Sequence, residues 1–196
     1  TFHTVNILGV ENRVIRDKAY VDGRLVEVAD DWYAQDTDGN VWYFGEFVVN
    51  YHYDGAGNLI GTDNGGSWIA DGAANLPGIT MMASPMIGDE YYQEYAPGVA
   101  LDFALVTSLT DVVDIDYGYF ENVLNTAEGN LFDGPELVEN KLYASGTGLV
   151  LVEVLDDEGE VEFEVELIRQ RIVPAPGGAA MGAIALGLLG RRRRMH

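Results

Sequence analysis

The stretch LVLVEVLDDEGEVEFEVELI, residues 149–168, decides the fold class. Apolar and acidic residues alternate strictly in its second half, with Val161, Phe163, Val165 and Leu167 on one side and Glu160, Glu162, Glu164 and Glu166 on the other. This period of two is typical of a strand with one buried face, because successive side chains point to opposite faces. The residues Asp156-Asp157-Glu158-Gly159 supply a turn. The stretch therefore predicts an antiparallel hairpin whose acidic outer face resists edge-to-edge pairing.

The same signals recur through residues 1–172, where runs of Val, Ile, Tyr, Phe and Trp are separated by Gly-containing turns. We predict strands at 3–9, 12–20, 24–28, 31–37, 41–53, 57–61, 66–70, 90–95, 99–107, 111–116, 120–126, 136–144, 147–156 and 160–169. Asp22-Gly23 and Asp38-Gly39-Asn40 are hairpin turn candidates, because these residues tolerate positive φ. Residues 98–107 also fit a short helix. The fold class predicted is all-β and mainly antiparallel, a meander forming a barrel or half-barrel.

The segment from Asp71 to Gly88 interrupts the strand pattern. It contains Pro77 and Pro85, several glycines, and the methionines Met81, Met82 and Met86. Because proline and glycine break regular structure and methionine fills irregular gaps, we predict a long loop lying across the sheet, with its methionines against an apolar face.

Charge limits the function classes that this chain can belong to. Its 196 residues include 11 Lys and Arg against 32 Asp and Glu, a formal net charge of −21. A protein that tracks nucleic-acid phosphates needs a basic face, so we expect no nucleic-acid partner. The absence of cysteine excludes disulfides, thiol nucleophiles and Cys-ligated metals. From Leu25 to Asn140 there is no Lys or Arg. Such a surface is either a solvated face or one loaded with divalent cations.

One candidate cation site lies at a predicted turn. The sequence Asp36-x-Asp38-Gly39-Asn40 has the oxygen ligands of a calcium loop, but Val41 and Phe47 stand where an EF-hand needs Gly and Glu. Two interpretations stay open. The segment is a hairpin turn, or it is a calcium site of another kind with ligands Asp36, Asp38, Asn40 and Glu46.

Catalytic signals are weak along the whole chain. His3 and His52 are the only histidines outside the last residues, and neither has a nucleophile motif beside it. We therefore expect a non-enzymatic protein without catalytic residues. Trp32, Trp42 and Trp68, together with the tyrosines, fit core packing first and a ligand-binding groove second.

The C-terminal segment VPAPGGAAMGAIALGLLGRRRRMH, residues 173–196, differs from the acidic body, which we assign to residues 1–172. It joins a Pro-x-Pro element, an apolar stretch at 177–190 and an arginine cluster. As a helix this stretch of 14 residues would be roughly 21 Å long, against about 30 Å for a bilayer core. We predict a hydrophobic helical tail that serves as a transient anchor, and the tail is the only part expected to meet a membrane.

This tail resembles the PEP-CTERM sorting signal of exported proteins of Gram-negative bacteria. The residues that carry the resemblance are Val173, Pro174, Pro176, Arg191, Arg192, Arg193 and Arg194, with Ala175 where the pattern has Glu. The resemblance implies recognition by an exosortase, a membrane cysteine protease, acting near the proline motif. It also implies export to the cell surface or beyond, alongside exopolysaccharide and biofilm production.

The body resembles a group of uncharacterised secreted bacterial proteins. The resemblance is carried by DWYAQDTDGNVWYFGE (31–46), followed by GSW (66–68), PGITM (77–81) and GDEYYQEY (88–95). A more remote similarity, of fold only, is to half-barrel lipoprotein carriers of the bacterial envelope. Two functions are therefore expected. One is a surface or matrix component that self-associates or contacts exopolysaccharide. The other is an envelope module that holds an apolar or sugar ligand.

The calcium hypothesis makes the first testable prediction. If the acidic residues bind calcium, the melting temperature rises in calcium relative to chelator at fixed ionic strength, because a ligand that binds only the folded state stabilises it. The measurement is thermal unfolding of residues 1–172 in both conditions. A shift no larger than that in an inert salt would contradict the hypothesis.

Overall fold

The chain is built from antiparallel strands throughout the part that the structure describes. The structure is a computed structural model that describes residues 3–132 and 137–169, together with the backbone of Arg193 and Arg194. Its strands are β1 Thr4–Ile7, β2 Val10–Val21, β3 Arg24–Gln35, β4 Val41–Tyr53, β5 Leu59–Asp63, β6 Trp68–Ile69, β7 Leu76–Met81, β8 Glu90–Tyr92, β9 Glu94–Tyr95, β10 Asp102–Ile115, β11 Gly118–Asn130, β12 Glu139–Ala144, β13 Gly148–Leu155, β14 Val161–Glu166 and β15 Arg193–Arg194. No helix occurs in these residues, so the all-β prediction is confirmed.

The strands form two sheets. The first has the order β1-β2-β3-β4-β7-β9, with β5 and β6 also paired to β4. The second has the order β15-β14-β13-β12-β11-β10-β8. Most neighbours in the sheets are neighbours in sequence, as in a meander. The described residues form no closed barrel, so the barrel alternative is wrong.

The segment 90–95 connects the two sheets. Its first half, β8, pairs with β10, and its second half, β9, pairs with β7. Gln93 lies between the halves and is buried, and its backbone N–H donates to the carbonyl of Asp102 at 2.8 Å. The crossing is close, because a Cβ built on Gly78 of β7 would lie 2.0 Å from the Gln93 carbonyl oxygen. Glycine is therefore required where the two sheets meet.

The predicted loop across the sheet is wrong in its central part. Residues Leu76–Met81 form β7, which pairs with β4 on one side and β9 on the other. These partners, distant in sequence, override the local effect of Pro77 and Gly78. Met81 does pack against the apolar core, whereas Met86 is 67% exposed.

Two other predictions change in detail. The helical alternative for 98–107 is wrong, because most of these residues belong to β10. The predicted breaks inside β3 and β10 are absent. Each of these two strands is continuous, and its pairing register shifts at irregular points along its length. The turn at Asp22-Gly23 is confirmed, with φ of 50° and 76° at the two residues.

Apolar side chains form three clusters. The first lies on the first sheet and contains Tyr43, Phe44 and Trp68. The second and third lie on β10–β14, and the third includes Tyr143 and Val106, against which Met81 of the first sheet packs. The first sheet thus contributes Met81 to the apolar core of the second sheet.

The predicted tail lies almost entirely outside the described residues. Val173, Pro174, Pro176, Arg191 and Arg192 belong to that part of the chain. The backbones of Arg193 and Arg194 pair with Glu164 and Phe163 of β14. Within the described ranges, no helix has the length and apolar character needed to cross a membrane.

Candidate functional site

A row of polar side chains crosses the first sheet at its centre. In the strand register Asp31 of β3 lies opposite Glu46 of β4, and Glu46 lies opposite Trp68 of β6. Directly opposite residues in an antiparallel pair have Cβ atoms about 4.5–5.5 Å apart. Two carboxyl groups and an indole therefore lie side by side on one face.

A bulge at Gly45 determines this arrangement. Gly45 has φ of 121°, and a Cβ there would lie 2.3 Å from the carbonyl oxygen of Trp68. The register shifts between Asp31 and Tyr33. In a regular strand, residues three apart point to opposite faces. The bulge instead places Tyr43 and Glu46 on the same face of β4. Glycine at this position also lets β6 approach β4 closely.

Aromatic rings pack beside this row. Tyr33 and Tyr43 stack with ring centroids 4.7 Å apart, and Trp68 meets Tyr43 edge-on at 5.6 Å. The Tyr43 hydroxyl donates a hydrogen bond of 3.0 Å to Asp31 Oδ1, and both residues are buried. The carboxyl group of Asp31 therefore lies in an aromatic environment with one protein donor bound to it.

The second sheet contributes a charged group of its own. Glu128 of β11 is 2% exposed, and its Oε1 accepts hydrogen bonds from Gln93 Nε2 at 2.9 Å and Thr126 Oγ1 at 2.7 Å. Lys141 Nζ lies 2.7 Å from Glu128 Oε2 and 3.0 Å from Glu139 Oε1. Burial disfavours the ammonium form of Lys141, but the two carboxylates outweigh it and hold the pKa well above the usual value.

Glu94 links the polar row on the first sheet to the charged group on the second sheet. It lies on β9, next to Gln93 in the connecting segment, and it interacts electrostatically with Asp102, Lys141 and Asp31. We use the name interior charge cluster for seven side chains that these interactions link: Asp31, Glu46, Glu94, Asp102, Glu128, Glu139 and Lys141. The cluster has one ammonium group against six carboxyl groups. Asp31 and Glu128 are buried, whereas the other five side chains of the cluster are half-buried.

Burial keeps several of these carboxyl groups protonated near neutral pH. It raises the pKa of Glu46 to about 8, with the charges of Glu94 and Glu27 adding to the effect. It also raises the pKa of Glu94 to about 8, where the charge of Asp102 raises it further and Lys141 opposes the rise. The pKa of Asp31 is well above its usual value for the same reason, strengthened by Glu46. The cluster therefore contains hydroxyl donors as well as carboxylate acceptors at pH 7.

Two hydrogen-bond donors at the cluster lack a protein partner of good geometry. Trp68 is 5% exposed, and its buried Nε1–H faces the Glu94 carboxyl group, whose charged form it favours, without forming a regular hydrogen bond. The buried hydroxyl of Tyr91 also lacks a hydrogen-bond partner, and the charge of Glu128 acts on it. Buried donors are normally satisfied. The Trp68 N–H is directed at the Glu94 carboxyl group, whereas the Tyr91 hydroxyl has no acceptor among the described residues.

The candidate calcium ligands separate into two places. Asp36 accepts four N–H groups: the backbone N–H groups of Asp38 and Asn40, the amide of Asn40 and the indole of Trp42, at 2.8–3.0 Å. Glu46 lies four residues beyond Trp42 along β4, roughly 13 Å away at about 3.3 Å per residue. Asp36, Asp38 and Asn40 thus meet at the turn, while Glu46 belongs to the interior charge cluster.

Nothing in the described ranges resembles a preformed metal centre. No group of three or more His, Cys, Asp or Glu side chains there is arranged to hold a metal ion. The calcium hypothesis stays a prediction. The four donors on Asp36 show that the turn at this position is satisfied by protein groups.

The interior charge cluster was not predicted from the sequence. Of its members, the sequence pattern points only to Glu46, and to a different site. The signal that could have located it is glycine inside a strand-like run, at Gly45, because glycine there marks a bulge or a close approach. The remaining members come from strands far apart in sequence, so no local spacing connects them.

Comparisons of the chain with protein-family models, with curated proteins and with solved structures found no match. We therefore infer the function from the side chains of this chain.

The raised pKa values make stability depend on pH. Between about pH 4.5 and 8 the folded state binds more protons at Glu46 than the unfolded chain, so stability falls as the pH rises through this window. Each such proton contributes a slope of about 1.4 kcal/mol per pH unit. We expect Glu46→Gln to reduce this slope and to raise the melting temperature at pH 8.

The measurement is chemical unfolding at several pH values between 5 and 8.5. Asp36, whose hydrogen bonds to Trp42 and Asn40 lower its pKa to about 2, does not titrate in this window. Glu11→Gln, at an exposed site on β2, is the matched control. A pH slope that is the same in the Glu46 variant and the wild type would contradict the assignment.

Proposed function

We propose that the body of this chain is a non-enzymatic binding module that holds a hydroxyl-rich ligand, a sugar, at the interior charge cluster. The observation that carries the proposal is the cluster itself, built from both sheets around Glu94. Burying carboxyl groups is costly unless they are paired or neutralised. A chain that brings six buried or half-buried carboxyl groups together around one ammonium group has the chemistry of a polar binding site rather than of a structural core.

The donors and acceptors of the cluster suit sugar hydroxyl groups. Each hydroxyl both donates and accepts, so it can bridge a carboxylate and a donor such as the Trp68 indole or the Tyr91 hydroxyl. The stacked rings of Tyr33 and Tyr43 add an apolar surface beside them. Carboxyl groups beside aromatic rings thus offer both directional polar contacts and apolar surroundings to one ligand.

We further propose that this module is exported and displayed at the surface of a Gram-negative bacterium. The Pro-x-Pro element, the apolar stretch and the arginine cluster of residues 173–196 support export through an exosortase. The acidic body repels anionic partners. This charge is compatible with a location among extracellular polysaccharides, either as a matrix component or as an envelope carrier.

Ligand binding is testable with three hexasaccharides that share one β-1,4-linked backbone: those of glucose, N-acetylglucosamine and glucosamine. We expect at least one to bind and to change the tryptophan fluorescence. Trp68→Phe should weaken that binding roughly tenfold, because one hydrogen bond of about 1.4 kcal/mol is lost. Trp42→Phe is the matched control, since its indole serves the turn at Asp36. Absence of binding to all three would contradict the proposal.

Export is testable by mass spectrometry of the chain expressed behind a secretion signal. In a bacterium with an exosortase, we expect the recovered protein to end near Pro176. In an otherwise identical strain without the exosortase, the arginine cluster should remain attached. Replacement of Arg191, Arg192, Arg193 and Arg194 by serine should also prevent processing. The same intact C-terminus in both strains would show that the tail is not such a signal.

A further inference from the structure

We infer that the outer edge of β14 is a docking site for an extended, arginine-rich segment, and that its occupant is the arginine cluster of the same chain. The inference goes beyond the sugar-binding function and concerns the C-terminal segment. Three observations carry it: the strand pairing of Arg193 and Arg194, the charge of the two partners, and the direction in which the chain returns to β14.

The strand pairing identifies the segment that the edge accepts. β14 pairs with β13 on one side, and on its other side it pairs with the backbones of Arg193 and Arg194 in antiparallel register. An edge strand offers a row of unpaired N–H and C=O groups, which an added extended segment satisfies. Among the described residues, the second sheet therefore ends in two residues of the arginine cluster and not in β14 itself.

Opposite charges favour this occupant over another acidic strand. Glutamates alternate along β14 and the residue before it, at 160, 162, 164 and 166, and arginines occupy 191–194. The register forms one row across four strands, made of Asn140, Glu153, Glu164 and Arg193. Like charges directly opposite each other destabilise a sheet, as those of Glu153 and Glu164 do, whereas opposite charges stabilise it. A basic residue opposite Glu164 therefore offsets the repulsion from Glu153.

The direction of pairing favours a segment of the same chain. Arg193 lies opposite Glu164 and Arg194 lies opposite Phe163, so the arginine strand enters at the end of β14 where the chain leaves after Glu166. A connection that starts and finishes at the same end of a strand needs no crossover, and the entropic cost of closing it rises slowly with its length. The glutamates that repel the edge of a second copy thus attract the cluster that the same chain supplies.

Docking on β14 excludes the place that the proposed sorting signal gives to the arginines. A basic stop is retained on the cytoplasmic side of a membrane, whereas β14 belongs to the exported body. One arginine cluster cannot occupy both places at once. β14 therefore holds the cluster away from the membrane in chains that have not been exported. This consequence rests on the proposed export function, whereas the docking itself does not.

The docking is tested with the full chain and a labelled peptide. The probe is fluorescein-labelled GLLGRRRRMH, residues 187–196, and its binding is followed by fluorescence anisotropy. The receptor is the variant in which Arg191, Arg192, Arg193 and Arg194 are replaced by serine. We expect the peptide to bind this variant about tenfold more tightly than the wild type, because a linked segment competes at a high effective concentration. The affinity should fall between 50 and 500 mM NaCl, because salt screens exposed charges.

Two further changes in the serine variant separate a specific edge from general attraction to an acidic protein. Glu162→Gln with Glu164→Gln removes two charges from β14 and should weaken peptide binding roughly fivefold. Asp157→Asn with Glu158→Gln removes two charges from the exposed turn next to β14 and should leave the affinity within about twofold. A peptide with glutamine in place of its arginines should not bind, and this control leaves the protein unchanged.

Each other outcome overturns a defined part of the inference. Equal binding of the peptide to the wild type and the serine variant would overturn the assignment of the chain's own segment. Absence of binding, or an equal loss in both double variants, would overturn the docking site. In sedimentation velocity, a wild type that dimerises where the serine variant is a monomer would replace the chain's own segment by that of a second copy. No exosortase or sugar enters these measurements, so their failure is distinguishable from failure of the proposed function.

Discussion

The architecture depends on one backbone contact, between Gly78 of β7 and Gln93 in the connecting segment. Any side chain at residue 78 would collide with the Gln93 carbonyl oxygen, which would be 2.0 Å from its Cβ. Because the strands can meet there, the segment 90–95 pairs with both sheets. The same contact brings the Gln93 amide to Glu128 and puts Glu94 between the charged groups of the two sheets. The fold and the interior charge cluster thus have a common origin.

Protonation lowers the free-energy cost of burying the carboxyl groups of this cluster. An ionised carboxylate buried without a partner costs several kcal/mol or more, whereas a group whose pKa rises can take up a proton instead. Lys141 and three hydrogen-bond donors stabilise the buried carboxyl group of Glu128. Raised pKa values lower the cost of burial for three other carboxyl groups, those of Asp31, Glu46 and Glu94. The first solution is permanent, while the second leaves carboxyl groups that respond to an incoming charge. The binding function that we propose therefore concerns the Glu46 and Glu94 side of the cluster.

The sequence predicted what local pattern determines. The alternation of β14, the turn at Asp22-Gly23 and the full extent of β4 are in the structure, because period and turn chemistry are properties of neighbouring residues. β7 was missed because its proline and glycine argue against a strand, and its pairing partners lie tens of residues away. The charge cluster was missed for the same reason, since a bulge at Gly45 and a sheet crossing at Gln93 bring its members together.

The gap in basic residues has a structural meaning beyond a solvated surface. Asp31, Glu46, Glu94, Asp102, Glu128 and Glu139 all lie between Leu25 and Asn140, the stretch without Lys or Arg. The first cation after this stretch, Lys141, is the one that joins the cluster. A further lysine or arginine on these faces would neutralise more of the carboxyl groups from within the protein. The acidic bias that indicates a solvated surface thus also leaves six clustered carboxyl groups with one ammonium group among them.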